Sequence, residues 1–433
     1  MTNHNNRRTF LRTAAGVALA QAAFPVLGAN ERVNLAVVGI GGRGRDHIDG
    51  YAKLPQCRIA AVCDVNQAAR ERAVQQVDKL SGHKPKEYAD MRQLFDDKDI
   101  DAVSFATPNH WHALGTIWAC QAGKDVYVEK PASHNIYEGR KMIEAARKYK
   151  RMVQVGSQSR SIPYIQRAMQ LLGEGVIGKL YEAKGLCFNP RKSIGHKEDA
   201  PTPPGVNWEM FLGPAPMRPF NELRFAYNWH WFWDTGNGDI GNQGIHEMDK
   251  ARWGLNRGLP NHVSSTGGKF VYDDDQETPN TQIATFDYGD SQITFDVRGL
   301  LTPGEGDVRR GNHFVGNIFF GSEGFLTLDT AGFRVYKGEK RELAMEEKSG
   351  DGEDAVHMAN FLAACRSRNH QELTADIEIG VTSVALVHFA NISYRVGRRL
   401  TIDPATWGIV NDAEASRMLT RDYRAPYVVP EKV

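Results

Sequence analysis

A short apolar run that stops at a cluster of glycines constrains this chain most. Val33-Asn34-Leu35-Ala36-Val37-Val38 has the length and hydrophobicity of a strand buried on both faces, and it runs straight into Gly39-Ile40-Gly41-Gly42-Arg43-Gly44. Glycine at the first place permits a tight turn, at the third a close approach of backbone to a diphosphate, and at the sixth close packing of the next helix on the strand. Among 42 glycines this spacing means little by itself. Its place between a strand and a helix reaching about residue 53 gives it weight. A second strand, 58–63, ends at Asp64, twenty residues past Gly44. A carboxylate there accepts hydrogen bonds from both adenosine ribose hydroxyls and repels a 2′-phosphate, which favours NAD over NADP. Arg43 weakens that preference, since it can offset a phosphate, and a plain capping role for Asp64 stays open.

Further strands at 100–106, 125–128 and 152–155 alternate with helices, one of them at 66–80. The pattern predicts an α/β fold opening with a doubly wound parallel Rossmann sheet over residues 30–153. The rhythm then changes. β-rich stretches at 180–188, 263–271, 281–288, 291–299 and 315–328, separated by Gly, Pro and Asp clusters, predict a C-terminal α+β domain over 154–433 with a large, mainly antiparallel open sheet. Helices are expected at 136–150, 161–173, 240–255, 353–368 and 377–394. Long loops are expected at 189–228 and beyond 403. Two domains suit a chain of 433 residues.

Thr107-Pro108-Asn109-His110-Trp111-His112 follows the third strand and Glu129-Lys130-Pro131 the fourth. Together with the glycine turn, these segments resemble the T-P-x-x-x-H and E-K-P motifs of the Gfo/Idh/MocA oxidoreductases, and the resemblance spans the chain beyond its first 29 residues. It implies that Thr107, Pro108, Asn109, His112 and Glu129 hold the dinucleotide beside the glycines. It also implies that Lys130 stands at the nicotinamide and donates to the reacting oxygen. The chemistry asks for such a cation, because hydride leaves a carbinol only as its O–H proton is lost. Glu129 then orients Lys130 or the nicotinamide ribose, and Pro131 fixes the loop, with a cis bond as one option.

A second cluster runs from Trp229 to Asp249. The family commonly has D-x-G-x-H on a helix here. His246 matches its histidine, but Asn242 stands where its acid is expected. Asparagine takes up no proton, so acid–base work shifts to His246 or Lys130. Helical spacing puts Asn242, His246 and Asp249 or Lys250 on one face, where Asp249 can orient the imidazole. A buried helix histidine is the plain alternative for His246. Asp239 is either a helix cap or a ligand for substrate hydroxyls. Trp229 and Trp231 either stack on sugar C–H faces, with His230 among the nearby groups that bind hydroxyls, or pack the core. Arg160 either reaches substrate or lies at the surface. No His/Asp/Glu spacing argues for a metal.

The N-terminus reads as an exported protein's leader. Arg7, Arg8 and Arg12 precede an uncharged, largely apolar stretch, 13–30, too short and too rich in Ala and Gly to span a bilayer. Residues 1–29 resemble a twin-arginine signal, whose translocation machinery passes folded proteins to the periplasm or beyond. Loss of those residues removes three arginines and no acid, taking the formal charge from +1 to −2. That balance suggests neither nucleic acid nor an anionic membrane as partner. The five cysteines show no C-x-x-C pairing and are expected buried and reduced.

Three functions remain for testing. The first is NAD-dependent hydride exchange with a hydroxyl or keto group of a sugar, glycoside or cyclitol. The second is a glycoside hydrolase in which retained NAD transiently oxidises the sugar, elimination breaks the glycosidic bond and re-reduction closes the cycle. The third is a non-catalytic sugar-binding protein keeping the fold. Free NAD is scarce outside the cytoplasm, so an exported enzyme is expected to carry NAD tightly bound. A homo-oligomer is expected through an open sheet face.

Overall fold

The computed structural model describes residues 32–433 apart from 306, 309–313 and 351–352. The expected leader, 1–29, lies outside the described residues. Six strands make the first sheet: β1 (Val33–Val38), β2 (Cys57–Cys63), β3 (Lys86–Tyr88), β4 (Ala102–Phe105), β5 (Asp125–Val128) and β6 (Val153–Val155). The order is β3-β2-β1-β4-β5-β6 and every pair is parallel. The chain reverses its winding between β1 and β4, which opens a crevice at the carboxyl ends of those two strands. The crossovers are α1 (Arg43–Ala52), α2 (Gln67–Ser81), α3 (Met91–Phe95), α4 (Asn109–Gln121) and α5 (Ile136–Lys148). β3 and α3 have no counterpart in the sequence reading, being too short to show a period.

After α6 (Pro163–Gly173) and β7 (Leu180–Phe188) comes the expected long loop. It holds little beyond the single-turn α7 (Trp208–Leu212) and 3-10 turns at Glu222–Arg224 and Asn228–Trp231. The helix expected over 240–255 is two helices, α8 (Gly238–Asn242) and α9 (Gly244–Leu255). Gly244 packs where a Cβ would meet the Phe295 ring at 3.0 Å, and one on Gly241 would meet the Asn237 Cβ at 2.6 Å. Gly244 therefore lets this segment lie close on the sheet, and Gly241 lets it fold tightly on Asn237, at the cost of helical continuity.

The second sheet holds β8 (His262–Gly268), β9 (Thr281–Asp287), β10 (Gln292–Arg298), β11 (Phe314–Gly321), β12 (Gly324–Asp329), β13 (Gly332–Lys337) and β14 (Glu342–Lys348). The run expected at 315–328 is thus a hairpin turning at Ser322 and Glu323. β15 (Leu400–Asp403) and β16 (Gly408–Ile409) complete the order β14-β13-β12-β11-β7-β10-β9-β8-β15-β16. Among the described residues only β7 and β10 pair in parallel, so the sheet is mainly antiparallel. Its inner face, carrying Ala183, Ile293, Phe295, Phe319 and Leu326, forms one core with α6, α9 and α11 (Ile377–Val396).

One helix crosses between the halves. From α10 (Glu353–Ser367), Met358, Phe361 and Leu362 pack with Leu35, Val37 and Ile48 of the first sheet and its first helix. The last stretch, after α12 (Ala413–Arg417), returns as well: Tyr427 lies edge-on to Trp111 at 5.4 Å, and Arg424 pairs with Glu209 at 2.6 Å. The five cysteines form no disulfide, with Cys57 half-buried and the others buried.

Candidate active site

A cavity of about 970 Å³ lies at the carboxyl ends of the parallel strands, between the two sheets. Its floor is the glycine turn. Gly39 has φ +81°, and a Cβ there would sit 2.7 Å from the Thr107 nitrogen, so the turns after β1 and β4 touch where the winding reverses. A Cβ on Gly44 would lie 2.0 Å from the Gly39 oxygen, the close helix–strand approach expected of that glycine. Added Cβ atoms on Gly41 and Gly42 meet nothing within 4 Å, and both residues line the cavity at the start of α1. Open backbone at a helix N-terminus suits a diphosphate. Asp64 lines the same space, and its carboxylate accepts the backbone N–H groups of Ile40 (2.7 Å) and Asn66 (2.8 Å). Each oxygen keeps a lone pair for a ribose hydroxyl. Burial raises the Asp64 pKa, against the opposing pull of those N–H groups and of Arg70 and Arg72. Thr107 adds a buried hydroxyl with no hydrogen-bond partner among the described residues, on a residue that lines the cavity. Open glycines, an acid at the end of β2 and an orphaned hydroxyl all fit a dinucleotide.

Arg43 turns toward β5. Its Nε donates to Glu129 at 2.9 Å, three strands away from Asp64. Glu129 also contacts His47 (3.0 Å), the Lys130 backbone N–H (3.1 Å) and Gln158 (3.2 Å). Burial pushes its carboxyl up, but Arg43, His47 and Lys130 outweigh this and hold its pKa well below the usual range. A charged Glu129 therefore anchors the turn that presents Lys130. The Lys130–Pro131 peptide is cis. His112 does not reach the cavity. Its ring nitrogens lie 2.7 Å from the Pro131 carbonyl oxygen and 2.9 Å from that of Thr107, tying the two motif turns together. Asn109 lines the cavity and donates to Asn237 at 2.9 Å.

Lys130 Nζ donates to the Asn242 carbonyl at 3.1 Å. Burial lowers its pKa, partly countered by Glu129. The break between α8 and α9 positions that carbonyl, and His246 begins the next turn with its N–H on the Gln243 carbonyl at 3.2 Å. Lys130 and His246 thus line one cavity from opposite domains, with Gln243, Glu247 and Lys250 beside them.

Asp249 does not orient His246. Both its oxygens bind Arg160, each at 2.8 Å, and Ser383 donates to one of them. Arg160 is correspondingly buried, neither at the surface nor on the cavity lining. A bidentate guanidinium is a stronger partner for a buried carboxylate than an imidazole one turn back. Asp239 neither caps a helix nor faces the cavity: it pairs with Arg191 at 2.8 Å and 3.1 Å, and Asn237 holds the cap position. The tryptophan cluster divides. Trp229 lines the cavity with His230 stacked on it at 3.6 Å, and burial lowers the His230 pKa to about 3. Trp231 is buried beneath the Arg191 guanidinium, 5.4 Å from its ring centre.

Sequence reasoning missed Tyr227 and Arg191. Tyr227 lines the cavity, and its hydroxyl accepts from Asn242 Nδ2 at 3.0 Å and from Arg191 Nη1 at 3.2 Å. Its only sequence signal is a place just ahead of the aromatic cluster. The long loop also crosses the crevice. Gln67 donates to Gly205 (2.8 Å), Asn207 donates to Val65 (3.0 Å), and Met210, Phe211 and Phe225 line the cavity with Asp64.

A parallel sheet in this winding, a glycine turn at its reversal and an acid at the end of β2 define a nicotinamide-dinucleotide class of fold. Residues 33–157 match the oxidoreductase family's NAD-binding Rossmann fold, and residues 187–288 and 328–429 match its C-terminal alpha/beta domain. The chain belongs to the Gfo/Idh/MocA oxidoreductase family. It is 28% identical over 178 residues to an alpha-N-acetylgalactosaminidase of Shewanella oneidensis, covering 39% of this chain and 38% of that protein. It is 26% identical over 267 residues to a glycosyl hydrolase family 109 protein of Saccharopolyspora erythraea, covering 55% of this chain and 53% of that one. The chain thus spans only about half or less of these curated relatives. The WlbA dehydrogenase of Bordetella pertussis, solved with NADH and UDP-GlcNAcA, shares the fold with a TM-score of 0.64 at 18% identity, over 86% of this chain and 99% of that one.

Proposed function

We propose that this protein is an NAD-dependent oxidoreductase acting on a CH–OH group of a sugar, glycoside or cyclitol. The observation that carries the reading is the convergence of Lys130 and His246 on the cavity floored by the glycine turn. The nicotinamide supplies the hydride acceptor. Lys130 stabilises the oxygen as its proton departs, and His246 takes that proton. Glu129 keeps Lys130 in place, and Trp229 offers an aromatic face to the sugar.

A second reading, redox-neutral glycoside hydrolysis, draws support from the family 109 relatives and from the loop that crosses the cofactor crevice. Oxidation of one carbinol would acidify the neighbouring C–H; His246 would take that proton, the glycosidic oxygen would leave with a proton, water would add across the double bond formed, and return of the hydride to the sugar ketone would regenerate the oxidised cofactor. A cofactor that recycles in place has no need to leave, so we infer that NAD is tightly held. The deciding experiment incubates purified protein with free sugars and 4-nitrophenyl glycosides. Net growth of NADH absorbance indicates a dehydrogenase, nitrophenol release at constant cofactor indicates the hydrolase, and binding without either indicates the non-catalytic alternative and overturns both. NAD released on denaturing an extensively dialysed sample tests retention.

NAD is preferred over NADP in this reading because Asp64 faces the ribose position and Arg43 is engaged at the far end of the crevice. Asp64→Asn keeps the shape and loses the charge. It is expected to weaken NAD roughly tenfold or more, the value of a charge-assisted hydrogen bond, and to narrow the gap to NADP. Tryptophan fluorescence titration with both dinucleotides measures this, and an unchanged ratio of affinities refutes the assignment. We also propose export through the twin-arginine machinery, on the strength of residues 1–29, checked by fractionating cells that express the chain with and without Arg7 and Arg8. Self-association through the outer face of the second sheet is supported by Ile283, 45% exposed there, and by the stacked Phe325–Tyr336 pair. Light scattering tests it.

A further inference from the structure

Tyr227 is held in a way that packing alone does not require. Its ring leans on His230 at 4.6 Å and Trp231 at 6.1 Å, while about half of the residue is exposed. Its hydroxyl receives two hydrogen bonds, one from Asn242 and one from Arg191. A phenolic oxygen has two lone pairs and one proton. With both lone pairs taken, the proton is directed away from these donors, toward the cavity that Tyr227 lines.

The donors are themselves fixed. Arg191 is clamped on both oxygens of buried Asp239 and lies over the Trp231 ring. Asn242 contributes its amide to Tyr227 and its carbonyl to Lys130. One residue therefore ties the hydroxyl of Tyr227 to the ammonium of Lys130. This also gives the asparagine at position 242 a use that an ionised aspartate cannot fill, since a carboxylate has no hydrogen to donate to the phenol.

We propose that Tyr227 is a further catalytic residue of this site, donating its phenolic proton to a sugar oxygen beside the one Lys130 addresses. The inference rests on the reading of the cavity as a sugar oxidoreductase site. In the step, the tyrosine O–H bond breaks as a new O–H bond forms on a neighbouring substrate oxygen that gains negative charge, the glycosidic oxygen as its bond to carbon breaks. The phenolate left behind is stabilised by Arg191 and Asn242 and regains its proton from water. The charged and titratable groups around the phenol are Arg191, Asp239, Lys130 and His230.

The test compares wild type, Tyr227→Phe and protein carrying 3,5-difluorotyrosine at 227, each with bound NAD, using free sugars and 4-nitrophenyl glycosides. Tyr227→Phe keeps the ring contacts and is expected to lower kcat about a hundredfold or more, the usual contribution of a proton-transfer group, with cofactor content unchanged. Difluorotyrosine, a stronger acid, is expected to move the alkaline limb of the kcat profile to lower pH. A tyrosine that only packs moves neither. Turnover of Tyr227→Phe within about twofold of wild type, or a kcat profile that fluorination changes in neither height nor shape, overturns the role of Tyr227 while leaving the site reading intact. A wild type that turns over no sugar overturns the site reading and this inference together.

Discussion

Replacing Lys130 with Met is expected to lower turnover about a thousandfold while leaving NAD in place, the cost usual for removing the group that faces a developing oxyanion. Methionine keeps the length and volume of the lysine stem, so the turn after β5 is not disturbed. The groups proposed to hold the dinucleotide, at Gly41, Gly42, Asp64 and Thr107, line other parts of the cavity. The loss should therefore fall on kcat with cofactor content unchanged, as measured by single-turnover absorbance and by the nucleotide released on denaturation. The wild type carries a related pH signature. Burial lowers the Lys130 pKa, so the ammonium is lost at lower pH than for a free lysine, and activity should decline on the alkaline side sooner than an ordinary lysine would dictate. A variant that keeps more than a tenth of wild-type turnover would remove Lys130 from the reaction.

The largest effect on stability is expected at Asp249. Its side chain is 1% exposed and that of Arg160 7%, and the pair joins the segment after β6 to α9 and, through Ser383, to α11. Attraction within such a pair need not exceed the cost of burying two charges, but removing one partner strands the other. Asp249→Asn is therefore expected to destabilise the protein by about 3–5 kcal/mol at neutral pH in urea unfolding. The double variant Arg160→Met/Asp249→Leu should recover most of the loss, because no charge is left behind. Burial raises the carboxyl's pKa, but Arg160 outweighs it and the net direction is down. The stability gained from this group is therefore present above the ordinary aspartate range and fades as pH falls through its depressed value, so the gap between wild type and Asp249→Asn should narrow in acid. A single variant as stable as wild type at neutral pH would show that the pair is not what joins these elements.

Much of the first domain was legible because its signals are local. An apolar strand, a glycine turn and an acid at the next strand's end stand within about thirty residues, and each glycine's steric role can be stated before any coordinate is seen. Gly39 and Gly44 proved crowded by backbone, and Gly41 open, as their positions in the turn require. Lys130 and His246 were legible for a different reason, their match to family motifs. The helix over 240–255 was expected whole because periodicity does not register glycines that trade continuity for close packing, Gly244 on Phe295 and Gly241 on Asn237.

What the sequence determined by itself was the strand–helix alternation, the dinucleotide turn and the identity of the cation and imidazole. Tertiary structure alone decided their company. It gave Asp249 to Arg160 and not to His246, set Asp239 beneath Arg191, brought Tyr227 into the cavity through Asn242, and returned α10 to the first sheet. The reason is physical: periodicity reports which face of an element is apolar, whereas the partner of a buried charge is chosen by whichever opposite group arrives from a distant part of the chain with the better geometry.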